Sequence, residues 1–203
     1  MDSTAPRRSR TLPSVLPSPD SRLPANQVRS ATADRRATLD TLIQSSVVDL
    51  FHSTDIAVAP VERTVLRPDR IRHQELSASI QFNGRGFTGT LTVGVPAEVF
   101  TTMARTKDRA YDGRDWVREI TNQVFGRLKR RLLQFQVELS AGLPGMLSKD
   151  AFERERQRPG FVVYVFRTLR GEVIVTLSGE IDHSVLAYSY ASSIPNEGDV
   201  ILF

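Results

Sequence analysis

Apolar positions recur at intervals of three and four from Thr38 onward. Leu39, Leu42, Ile43, Val47, Leu50 and Phe51 fall on one stripe of TLDTLIQSSVVDLFHST, which predicts a helix with a core-facing side. IAVAPVERTVL reads as a strand. In ELSASIQFNGRGFTGTLTVGV apolar and polar residues alternate around a Gly-rich turn at Asn83-Gly84, the pattern of an antiparallel hairpin. PAEVFTTMART is a short helix with Pro96 in its first turn, where the missing N–H costs nothing. DGRDWVREITNQVFGRLKRRLLQF carries the longest helical period, with Asp112 as N-cap and Asp115 three residues on. QVELSAGLPG follows, and then FVVYVFRTL and EVIVTLSGEI, separated by Arg170-Gly171, form a second hairpin. LAYSYASS is a further candidate edge strand. Hairpin-linked strands with three helices predict an α+β fold, an antiparallel β-sheet with helices packed on one face.

Composition divides the chain of 203 residues in two. Residues 1–37 have no aromatic side chain and carry Pro6, Pro13, Pro17, Pro19 and Pro24 among serines and arginines. Such a segment buries too little apolar surface to offset its ordering entropy and reads as a disordered tail. Residues 38–203 form the folded domain. Up to Arg36 there are seven arginines against three aspartates, which is the whole of the formal net charge of +4. The domain itself is neutral, so the basic balance does not make it a nucleic-acid binder. Pro13, Pro17 and Asp20 interrupt any signal-like apolar run, and no stretch approaches the ~20 apolar residues that span a bilayer. The absence of cysteine excludes disulfides, thiolate zinc sites and cysteine nucleophiles and fits a reducing, cytoplasmic setting.

Several motifs fail on their own mechanics. Gly84, Gly86 and Gly89 spell a phosphate-loop pattern, but a strand follows where a helix N-terminus is needed. His52, His73 and His183 have no metal-ligand spacing. Asp182, His183 and Ser184 are neighbours whose side chains cannot converge on one reacting atom. Arg127, Lys129, Arg130 and Arg131 are spread around their helix and read as a solvated end that suits its dipole.

One constellation survives. With Asp115 set at zero and about 100° per residue, Glu119 falls at about 40°, Asn122 at about −20° and Gly126 at about 20°. Val117, Ile120, Val124 and Leu128 cluster between about 140° and 220°, so acid, acid, amide and glycine share the face opposite the apolar stripe. Spacing by itself is equally what a solvated face with an incidental glycine would show. A mid-helix glycine costs about 1 kcal/mol relative to Ala, which suggests close approach of a partner to the backbone.

Asp115, Glu119, Asn122 and Gly126 resemble the signature helix of the CheC/CheX/FliY family of chemotaxis phosphatases, [D/S]-x-x-x-E-x-x-N, and Pro144 corresponds to the proline that follows it. The preceding helix, strand, Gly84 hairpin and Pro96 helix come in the order of a CheX-like domain, over about Thr38 to Ser192. A single signature resembles CheX, and no flagellar-switch module is visible. Trp116 and Arg118 inside the signature and Leu133 on its face are departures. The resemblance implies hydrolysis of the aspartyl phosphate of a CheY-like response regulator, in chemotaxis or another two-component pathway. Asn122 and Glu119 would be catalytic, with Asp115 and Gly126 in partner binding. It implies no cofactor of its own, magnesium coming with the regulator, a phosphorylated receiver domain as partner, and a homodimer through edge strands near the C-terminus as in CheX. The alternative is a non-catalytic module of the same fold that binds a response regulator or dimerises. No nucleic-acid or membrane partner is expected.

Overall fold

The computed structural model describes residues 25–54, 56–61, 73–106 and 112–186. Helix α1 spans Ala25–His52 and buries the expected stripe, Leu39, Leu42, Ile43, Val47, Leu50 and Phe51. It begins at Ala25 and not at Thr38, so residues 25–37, expected in the disordered tail, are helical. The physical reason lies in the proline positions: Pro24 is the last before α1, and the Ala-, Arg- and Gln-containing run after it carries a helix once the packed turns have nucleated one. Residues 1–24 lie outside the described residues.

Strands β1 (Ala59–Pro60), β2 (Leu76–Gly84) and β3 (Phe87–Val95) come next. Of the strand expected in IAVAPVERTVL, Ala59 and Pro60 pair with the sheet, Val61 N–H adds a bond to Val165 O at 2.9 Å, and 62–72 lie outside the described residues. The β2–β3 hairpin turns at Arg85-Gly86, beyond the expected Asn83-Gly84, because Gly84 still pairs with Phe87. Gly86 takes φ 73°, the left-handed region that glycine enters without strain. Gly84 serves a close approach instead: a Cβ there would lie 2.3 Å from Glu138 O.

Helix α2 spans Ala97–Thr106 and α3 Gly113–Leu132. Then come β4 (Leu139–Ala141), β5 (Gly145–Met146), α4 (Lys149–Arg156), β6 (Val162–Thr168) and β7 (Gly171–Ile181). The second hairpin turns at Leu169-Arg170, one residue before the expected pair, with Thr168 opposite Gly171. The sheet is antiparallel in the order β1-β6-β7-β3-β2-β4, with β5 also on β2. On one face Phe82, Leu91, Val93, Val175 and Leu177 pack with the apolar sides of α1 and α3 in a single core. The Phe82 and Phe125 rings stack at 5.7 Å.

Helix α4 was not expected, since Phe152 is its one large apolar residue and no stripe announces it. Its cap was legible: Ser148 Oγ accepts from Ala151 N–H at 3.2 Å, with Asp150 in the first turn. It packs on the other face of the sheet, where Ile174 joins Leu147 and Phe152 while its neighbours Val173 and Val175 face the main core, as the two-residue period of a strand requires. Ser178 Oγ donates to Glu155 Oε2 at 2.6 Å beneath it. The described residues end with a 3-10 turn, His183–Leu186. The candidate edge strand and any dimer contact through it fall beyond Leu186, outside the described residues.

Candidate functional site

Helix α3 starts where its first polar side chain dictates. Asp112 is extended and its carboxylate accepts from Arg114 N–H at 3.0 Å, satisfying one of the donors left open in the first turn. Trp116, Val117, Ile120, Thr121, Val124, Phe125, Leu128 and Leu132 are all buried. Thr121 avoids an unsatisfied hydroxyl by donating to Val117 O at 2.8 Å. Trp116, a bulky departure inside the signature, does not obstruct the motif face: it turns inward against Phe100 of α2, ring centroids 5.4 Å apart.

The basic run at the end of α3 is only partly the solvated end expected from the sequence. Arg131 pairs with Asp49 of α1, and Arg127 Nη2 donates to Ser53 Oγ at 3.4 Å, so these two arginines bind α3 to α1. Lys129 is exposed. The spacing put them around the helix; only the tertiary arrangement shows where α1 lies.

Asp115, Glu119, Asn122 and Gly126 are all exposed, and the four share one outward face. Asp115 forms an ion pair with Arg118. Glu119 Oε1 accepts from Gln123 Nε2 at 2.6 Å. Among the described residues a Cβ added to Gly126 would meet no atom within 4 Å, so none of them calls for glycine there. Leu133, 46% exposed, continues the face past the helix end. Pro144 lies in the β4–β5 connection, half-buried. That connection is fastened at both ends, by Gly142 N–H to Gln81 O at 3.2 Å and Leu147 N–H to Ser77 O at 2.9 Å, and β5 runs beside α3.

The other sequence candidates resolve into structural roles. Asp182 Oδ1 accepts from Ser184 N–H at 2.8 Å; the Ser184 side chain first, and this backbone bond second, hold its carboxyl below the usual range, a local turn and not a triad. Burial pushes the His183 imidazole below its ordinary value, with Arg36 adding repulsion. His73 Nε2 is 2.7 Å from Leu147 O and its ring meets Phe152 edge-on. The Gly84, Gly86 and Gly89 pattern sits in the hairpin, with β3 following. Among the described residues no group of three or more His, Asp or Glu side chains is placed to hold a metal ion, and no helix is long and apolar enough to cross a membrane. A cleft of about 930 Å³ lined by Gln81, Thr90, Ser140, Arg158 and Glu180 opens on the face of the sheet away from α3, as the outward register of Gln81 and Thr90 requires.

No protein-family model matches the chain, and no curated protein is significantly similar to it in sequence. Solved structures are similar to it in fold. The chemotaxis protein CheX from Vibrio vulnificus superposes with a TM-score of 0.57 at 16% identity, over 69% of this chain and 95% of that one. A CheC-like superfamily protein from Shewanella sp. PV-4 gives 0.57 at 14% identity, over 68% and 95%. A chemotactic CheC-like protein from Shewanella oneidensis MR-1 gives 0.52 at 18%, over 68% and 95%. The chain therefore has the CheX/CheC-like α+β fold, in agreement with the resemblance read from the α3 signature.

Proposed function

We propose that this domain accelerates hydrolysis of the aspartyl phosphate on a CheY-like receiver domain. The observation that carries the reading is the placement of Glu119 and Asn122, one turn apart on the exposed face of α3, with the apolar side of the same helix locked in the core. The reaction asks little covalent chemistry of the protein. A water oxygen attacks phosphorus, the bond from phosphorus to the aspartyl oxygen breaks with its electrons returning to the carboxylate, and the water proton leaves with the phosphate or to solvent. The work is to hold that water in line. The Asn122 amide can both donate to and accept from it, and being neutral brings no negative charge against the phosphoryl group. Glu119 supplies a carboxylate for the receiver's active-site lysine, exchanging Gln123 for it. Asp115 and Gly126 complete the docking face. The metal at the phosphoryl group would arrive with the receiver, and no residue of this chain is assigned to it.

The test is Asn122→Ala in the full chain, assayed for phosphate release from phosphorylated receiver domains of the same organism. Acceleration is expected to vanish while the melting temperature does not fall, because the side chain is exposed. Undiminished release by the variant overturns the reading.

A further inference from the structure

We propose that Arg118 is a second catalytic residue of this face, contacting the phosphoryl oxygens of the bound receiver and making the domain selective for the phosphorylated form. The inference rests on the phosphatase reading above and deepens it. Arg118 falls at about −60° on the helical wheel, beside Asn122 at about −20°. Residues four apart on a helix have Cβ atoms about 6 Å apart, so a group held by Asn122 is within reach of a side chain as long as arginine. The other cations of the helix are differently placed. Arg127 and Arg131 are turned to α1, Arg114 stands two turns before Asn122, and Lys129 and Arg130 stand two turns beyond it.

Arg118 is also held where it would be used. Its guanidinium pairs with Asp115, with the two side chains 44% and 62% exposed. A pair so open to water contributes little to stability, so it keeps the arginine on the motif face yet exchanges readily for a better partner. A phosphoryl group is that partner. The planar fork of N–H donors matches two of its oxygens, and each bond is charge-assisted. During hydrolysis negative charge is spread over the three equatorial oxygens, where an arginine donor stabilises the transition state more than the ground state. Arg118 transfers no proton: it donates hydrogen bonds while the attacking water and the departing carboxylate exchange at phosphorus.

The experiment uses the full chain and a receiver domain that it dephosphorylates. Phosphate release is measured over a range of receiver concentrations for the parent, Arg118→Ala, Arg118→Lys and Asn122→Ala, and binding is measured to the beryllofluoride-loaded and the unloaded receiver. Arg118→Ala is expected to lower kcat about a hundred- to a thousand-fold and to lose the preference for the loaded receiver, Arg118→Lys to restore part of both, and Asn122→Ala to lower kcat with the preference intact. Arg118→Ala retaining either the parent kcat or the preference overturns the proposal, and does so without touching the phosphatase reading if Asn122→Ala is inactive. A parent chain that accelerates release from none of the organism's phosphorylated receivers overturns both.

Discussion

The Tyr164 hydroxyl donates a 2.8 Å hydrogen bond to the Asp40 carboxylate, joining β6 to α1 inside the core. Both residues are buried. Removing the hydroxyl takes away a buried hydrogen bond to a carboxylate, worth about 1.5–3 kcal/mol. Tyr164→Phe is therefore expected to lower the melting temperature by several degrees in calorimetry, with phosphate release per folded molecule unchanged. An unchanged melting temperature would show that the bond adds nothing net.

Gly126 separates stability from recognition. Because a Cβ there meets only open space, Gly126→Ala should stabilise the helix by up to about 1 kcal/mol. Gly126→Leu is also expected to keep or raise the melting temperature, yet to weaken binding to a beryllofluoride-loaded receiver by holding the partner off the backbone. Parent-like binding by the leucine variant removes Gly126 from the docking face.

Glu119→Lys reverses a charge on an exposed position and should leave the fold intact. Facing a receiver lysine, it is expected to weaken binding at least tenfold, which corresponds to about 1.4 kcal/mol. Titration calorimetry against the loaded receiver checks this. If affinity is unchanged, the carboxylate does not meet a cation.

His183 gives the domain a pH-dependent term. Burial first, then Arg36, lowers its folded pKa below the ordinary 6.5, against smaller opposing effects of Asp40 and Asp182. Well above that value both states are neutral and the residue is silent. As pH falls through it, the unfolded chain takes up the proton first, so stability declines until the folded imidazole also titrates. Urea midpoints at about pH 7 and pH 5 should therefore drop more for the parent than for His183→Gln. Equal drops would assign the acid sensitivity to other groups.

The elements legible in the sequence were those whose burial is periodic. The α1 stripe, the β2–β3 and β6–β7 hairpins and the two sides of α3 all follow from spacings of two or three to four, and the exposed face with Asp115, Glu119, Asn122 and Gly126 is the complement of the α3 stripe. What periodicity does not encode was displaced or missed. Turn positions depend on which glycine pairs and which takes positive φ, so Gly84 and Gly86 exchange roles. α4 has one buried aromatic residue and no stripe. The start of α1 depends on propensity carried forward from packed turns. The destinations of Trp116, Arg127 and Arg131 depend on elements far away in sequence, namely α2 and α1.

The two sides of α3 share a backbone and no residue. Every apolar side chain that fixes the helix to the sheet points inward, and every residue of the candidate face points out, so the core does not register a change of chemistry on the surface. A domain built in this way can exchange partners through single outward substitutions while its architecture persists.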